Sequence, residues 1–119
     1  MKIKDKKELA ERTFQFAVNV VKFLKTLKYS KENDVIKYQL AKSATSIGAN
    51  YEESQASNSK EDFYYKIGIV LREARESNYW LRVLKALEIV NSQELDGLIQ
   101  ESTELKKIFG SIFAKSRKL

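Results

Sequence analysis

The chain has 119 residues, 22 Lys and Arg against 16 Asp and Glu, a net charge of +6, and neither proline, histidine nor cysteine, which bounds it to one basic, helix-rich domain and agrees with a reducing compartment. Without His or Cys it cannot build thiolate or imidazole zinc sites, Ser-His-Asp triads, Cys-His dyads or the Glu-x-x-His pairs of a di-iron bundle. With no Gly-rich phosphate loop after a predicted strand and no nucleophile spaced beside a base, no catalytic, cofactor-binding or metal residue is assigned and no enzyme is expected.

The first predicted helix runs from about Asp5 to Lys28. Leu9, Phe16, Val20, Leu24 and Leu27 recur at helical spacing, and Phe14, Ala17, Val21 and Phe23 widen that stripe. Polarity rises over Tyr29 to Asn33, where Ser30 or Asn33 can cap a second helix. That helix carries Ile36, Leu40, Ala44, Ile47, Tyr51 and Ser54 on one face and frays near Ser57. Ser59 with Asp62 makes a capping box with Asp in place of Glu or Gln. It opens a third helix whose seam is Phe63, Ile67, Val70, Ala74, Ser77, Leu81 and Leu84. A second box, Asn91-Ser92-Gln93-Glu94, opens the fourth, with Leu95, Leu98, Ser102, Leu105, Phe109 and Ile112 inward. Connections of only a few residues make sequential helices antiparallel neighbours. The expected architecture over residues 1–119 is an all-α, up-down-up-down four-helix bundle in a single domain.

Residues equidistant from the turn at Asn58 should lie level, which sets Gly48 opposite Gly68 and predicts a close approach of helices two and three; accidental glycine placement is the alternative. Ser46, Asn50 and Glu53 form a polar strip beside the apolar face, read as hydrogen-bonded or solvated structure ahead of a site. No apolar run reaches the roughly 20 residues that span a bilayer, and the lysine-rich start lacks an apolar h-region. A cytoplasmic location is therefore expected.

The segment Ser43-Ala44-Thr45-Ser46-Ile47-Gly48-Ala49-Asn50, with Glu52-Glu53, Ser59-Lys60, Phe63, Glu73-Ala74-Arg75-Glu76 and Tyr79-Trp80-Leu81, resembles the 23S rRNA-intervening-sequence protein family. The likeness is strong over helices two and three and holds for the flanking helices by pattern and length. These small bacterial four-helix-bundle proteins carry the ribosomal-protein label because their genes lie within insertions in 23S rRNA genes. More distantly, the chain is similar to the accessory variability proteins of diversity-generating retroelements, which bind nucleic acid and a reverse transcriptase. The resemblance implies a ring-shaped homopentamer. Two positions depart from the family pattern: Lys60 stands where Arg is common, which removes a planar bidentate phosphate donor, and Ser54 replaces a frequent Gly or Ala.

In an up-down-up-down bundle both termini and the second connection share one end. Lys2, Lys4, Lys6, Lys7, Lys60, Lys115, Arg117 and Lys118 should gather there, diluted by Asp5, Glu8, Glu61 and Asp62. Repeated in a ring, they would make an electropositive annulus that attracts RNA or DNA phosphates. The alternative is frayed ends that only keep the chain soluble. Helix three also holds more aromatic surface than its seam can use, so Tyr65, Ile69, Tyr79, Trp80 and Val83 are candidates for a subunit interface. Burial within one bundle, and base stacking, are the other readings. The expectation is a non-enzymatic, nucleic-acid-binding homo-oligomer, against a structural or adaptor protein that binds another protein and no nucleic acid.

Overall fold

Three of the four helices begin at a serine, whose hydroxyl accepts one of the backbone N–H groups that a helix N-terminus leaves unpaired. Ser30, Ser59 and Ser92 accept from the N–H of Asn33, Asp62 and Leu95 at 2.9, 3.0 and 3.1 Å. The computed structural model describes residues 2–90 and 92–118, without the Lys118 side chain. Asn91 of the second capping box and that side chain therefore lie outside the described residues. The helices are α1 (Ile3–Leu24), α2 (Lys31–Ser54), α3 (Lys60–Ala86) and α4 (Gln93–Ala114), followed by a 3₁₀ turn over Lys115–Lys118. No strand occurs among the described residues.

The first helix stops at Leu24, short of the predicted Lys28. Past that point the backbone tightens into turns, with Thr26 N–H donating to the Phe23 carbonyl at 3.0 Å and Leu27 N–H to that of Leu24 at 3.2 Å. Side chains of α2 take the next carbonyls: Lys37 Nζ donates to Leu27 at 2.9 Å and Asn33 Nδ2 to Lys28 at 3.0 Å. Asn33 thus closes the preceding turn while Ser30 caps the helix. Leu27 stays buried although it lies outside α1. At the far end of α3, Glu88 adopts φ 55°, the left-handed conformation that glycine usually supplies after a helix.

The central residues of all four predicted inner faces are buried except Phe63, which packs half-buried against the core, and Ala17 and Val21 at the edge of the α1 stripe are half-buried. Tyr51 and Phe109, both fully buried, meet edge to face, ring centroids 5.6 Å apart. Phe14 does not belong to the α1 stripe. It is 54% exposed, because two residues from Phe16 is roughly 200° around a helix. Thr13, absent from the predicted stripe, is buried and back-bonds to the Ala10 carbonyl at 3.0 Å.

Cross-helix pairs run in opposite senses along every adjacent pair, so neighbours are antiparallel. Thr13 of α1 lies against Gly48 of α2 while Lys6 reaches Tyr51. Ser77 donates to Ser43 across α2–α3 at 2.9 Å, while Ser54 and Phe63 share a cleft at the turn. Asn78 donates to Ser102 across α3–α4 at 2.9 Å, while Gly68 meets Phe113. On the remaining flank Arg12 Nη2 meets Glu101 at 2.6 Å, and Lys22 with Glu94 lines the same groove.

That register corrects the pairing of Gly48 with Gly68. The Ser43–Ser77 bond puts Arg72, one helical turn from Gly68, opposite Gly48. The two glycines also face different neighbours. A Cβ on Gly48 would stand 3.3 Å from Thr13 Oγ1 and 3.4 Å from its backbone carbon, so the close approach it permits is α2 to α1. A Cβ on Gly68 would stand 3.0 Å from Phe113 Cε1, a contact with α4.

Candidate nucleic-acid interface

The end of the bundle that holds the α1 N-terminus, the α2–α3 turn and the α4 C-terminus is built from contacts among all four helices. Tyr51 Oη lies 3.5 Å from the Lys6 carbonyl, which ties α2 to the first turns of α1. The Tyr51–Phe109 and Gly68–Phe113 contacts bring in the last turns of α4. Burial pushes the Tyr51 phenol above its ordinary pKa, so it remains a neutral hydroxyl at any physiological pH.

Lys2, Lys4, Lys6, Lys7, Lys60, Lys115 and Arg117 are all solvent-exposed around this end. The structure draws three of them together. Lys6 and Lys60 line one open cleft of about 320 Å³ with Ser54, Gln55, Asn58 and Ser59. Lys6 and Lys7 line a neighbouring one of about 290 Å³ beside Ala10, Glu52 and Gln55. Lys4, Lys115 and Arg117 reach this end through the topology and line neither cleft. The Lys118 side chain lies outside the described residues.

Carboxylates interrupt the positive surface, as the composition implies. Asp5, Glu8 and Glu61 are exposed. Asp62 is engaged at the start of α3, where a hydrogen bond from Lys66, 3.1 Å away, holds its carboxyl below the usual range with help from the Asn58 backbone. The end is basic and locally patterned: Lys6, Lys7 and Lys60 line the clefts, with Glu52 the acid among them.

The aromatic strip on α3 divides in two. Tyr65 is 69% and Tyr79 51% exposed. Trp80 and Val83 pack half-buried against the core, and Ile69 is half-buried. Tyr79 and Trp80 stand edge to face at 5.1 Å, with Trp80 Nε1 directed at Glu76 Oε1 at 3.4 Å. Nearby, burial raises the Glu73 carboxyl above its ordinary pKa, with the Glu76 charge adding to the shift. Exposed apolar side chains also occur elsewhere, at Phe14, Val35, Tyr38 and Leu87.

The polar strip of α2 is structural over most of its length. Ser46 Oγ donates to the Lys42 carbonyl at 2.6 Å and Asn50 Nδ2 to that of Ser46 at 2.8 Å, while Glu53 is exposed. Among the described residues, no group of Asp and Glu is placed to hold a metal ion, and no helix is long and apolar enough to cross a membrane.

Sequence reasoning missed the polar junction on α3–α4. Asn78, only 2% exposed, donates to Ser102 Oγ at 2.9 Å and to Thr103 Oγ1 at 3.1 Å. Its carbonyl oxygen accepts from Arg82 Nε at 3.0 Å and Lys106 Nζ at 3.2 Å. An available signal was the position of Asn78 four residues after Ala74 and three before Leu81, on the flank of the apolar seam.

Comparison with known proteins reaches the same architecture. A family model described as 23S rRNA-intervening sequence protein matches residues 5–111. The crystal structure of a protein with unknown function from the S23 ribosomal protein family of Bacteroides thetaiotaomicron is 35% identical. The match covers 87% of this chain and 96% of that one, with a TM-score of 0.79. No curated protein matches.

Proposed function

The chain belongs to the 23S rRNA-intervening sequence protein family, and from that premise we propose that it is a non-enzymatic nucleic-acid-binding protein of the bacterial cytoplasm. It acts as a homo-oligomer, a five-membered ring as the family resemblance implies. The observation that carries this reading is the convergence of Lys6, Lys7 and Lys60 on two open clefts around the α2–α3 turn. Cations grouped over a shallow surface suit the phosphate backbone, since phosphate contacts position a nucleic acid without reading its bases. Ring symmetry would repeat the group around an annulus, and Tyr65 with Tyr79 supplies exposed apolar area for subunit contact.

The test is a titration of single-stranded RNA and DNA at two salt concentrations, with solution mass measured in parallel. Affinity should fall with salt by about 0.7 logarithmic units per logarithmic unit of salt for each phosphate neutralised. Changing Lys6, Lys7 and Lys60 together to Gln should flatten that slope and weaken all sequences alike. Tyr65→Glu should lower the mass while each bundle stays helical. A wild type that binds neither RNA nor DNA at low salt, yet still assembles, sinks the nucleic-acid reading. It would support an adaptor that engages another protein, a reading favoured by Asp5, Glu8 and Glu61 among the terminal lysines.

A further inference from the structure

Arg82 and Lys106 come from different helices and converge on one neutral acceptor. Both donate to Asn78 Oδ1, at 3.0 and 3.2 Å, so the two donor nitrogens are no more than about 6 Å apart, well within the range of mutual repulsion. Elsewhere in the bundle such cations meet carboxylates: Arg12 with Glu101 and Glu104, Lys66 with Asp62, Lys85 with Asp96. Here no carboxylate is supplied. Glu101 and Glu104 of α4 turn to α1, Asp96 is held by Lys85, and Glu76 of α3 lies beside Trp80. Among the described residues neither Arg82 nor Lys106 pairs with any carboxylate.

The arrangement is also held in place. The Asn78 amide is fixed by its donated bonds to Ser102 and Thr103, hydroxyls that themselves donate to the Ile99 carbonyl at 2.9 and 2.8 Å. Its carbonyl is therefore held in one direction and orients both cations that donate to it. Arg82 engages Asn78 through Nε, and its carbon Cζ lies 5.9 Å from the centre of the Tyr79 ring. Its two terminal nitrogens remain for an incoming ligand. Arg75, two turns earlier on the same face of α3, is exposed and adds a third positive charge by register.

We propose that Arg82 and Lys106, oriented by the buried Asn78 amide, form an oxyanion site on the α3–α4 face that binds a phosphate group. A tetrahedral oxyanion matches a forked guanidinium beside an ammonium, and its negative charge offsets their repulsion. The phosphate belongs either to a free phosphate ion or to a polynucleotide backbone; the chemistry at the two cations is the same. Asn78 lies about 27 Å along α3 from Lys60, taking 1.5 Å per residue. This site is therefore separate from the lysines at the end of the bundle and does not depend on their role.

The sole tryptophan, in contact with the Tyr79 ring beside Arg82, provides the readout. Inorganic phosphate is titrated into the full chain at ionic strength fixed with chloride, followed by Trp80 fluorescence and phosphorus NMR. A mixed-sequence single-stranded oligonucleotide is titrated in a second arm. Arg82→Gln with Lys106→Gln should weaken the saturable response about tenfold or more. Arg12→Gln, which removes a cation from the opposite flank, and the Lys6, Lys7, Lys60 triple variant should leave the phosphate response unchanged. A response to phosphate and oligonucleotide alike assigns the site to phosphate in general; a response to the oligonucleotide alone, lost in the double variant, assigns it to a polynucleotide backbone. No saturable response of the wild type to either probe, or one that the double variant retains in full, overturns the proposal.

Discussion

Helix α1 is packed in opposite ways on its two flanks. Against α2 the backbones come close: Gly48 stands where a single added carbon would press on Thr13. Against α4 the helices part over two grooves of about 600 and 480 Å³, the first lined by Phe16, Asn19, Gly97 and Leu98, the second by Leu9, Ile108 and Ile112. Arg12 lines both and holds the seam by its ion pair with Glu101. The difference shows what glycine does in each place. At Gly48 the missing side chain is needed for contact, whereas a Cβ on Gly97 would meet nothing within 4 Å. One substitution type should therefore have opposite signs on the two flanks.

The largest effect is expected at the tight flank. Gly48→Leu must force α1 from α2 and should destabilise the bundle by about 1–3 kcal/mol in chemical denaturation, despite its better helix propensity. Gly97→Leu should stabilise it by about 1 kcal/mol, because the helix gains propensity and the groove has room. If both substitutions destabilise equally, the contrast between the flanks is wrong. Arg12→Gln should cost about 0–1 kcal/mol at low salt and less as salt is added, since this ion pair is partly exposed and screened. A loss that ignores salt would mean that Arg12 acts by packing its stem.

The smallest effect lies away from α1 and serves as a reference for the electrostatic one. Glu73 has its pKa raised by burial, so folding favours its neutral form. The stability it adds is present below the ordinary carboxylate range and is lost as pH rises through that range to the raised value. Glu73→Gln should remove that decline and leave the variant slightly more stable than the wild type at neutral pH. Urea midpoints measured from acid to neutral pH will show it. A wild type whose midpoint rises through that interval by the same amount as the variant's would mean that Glu73 is ordinarily solvated.

Most of the fold could be read from periodicity, because burial on one face requires side chains every three or four residues. The serine starts were legible for an equally local reason, since each cap is settled within one turn of chain. What periodicity could not supply was the level of one helix against another. Counting outward from Asn58 set Gly48 against Gly68, but the Ser43–Ser77 bond displaces the pair by a turn. The early end of α1 was hidden for a similar reason: Lys37 and Asn33, from the next helix, take the carbonyls of Leu27 and Lys28, where a longer α1 would have continued. At the candidate interface, the lysines and their shared end were legible from topology. The clefts that select Lys6, Lys7 and Lys60 were not, because they depend on the shape of the α2–α3 turn. The Arg82–Lys106 pair escaped notice because the two residues meet only through Asn78, in the folded chain.

Ser77 and Asn78 are consecutive, and they bond to α2 and α4 respectively. Three helices are thus aligned from one step of α3, and sliding either neighbour by a turn would strand a buried polar group. Alignment is then carried inside the bundle, which relieves the connections of that task. Lengthening the α2–α3 or α3–α4 loop should add only chain-closure entropy, about 0.6 kcal/mol for each doubling. Residues could be inserted there, and a new ligand-binding loop grown, while the helices kept their relative heights.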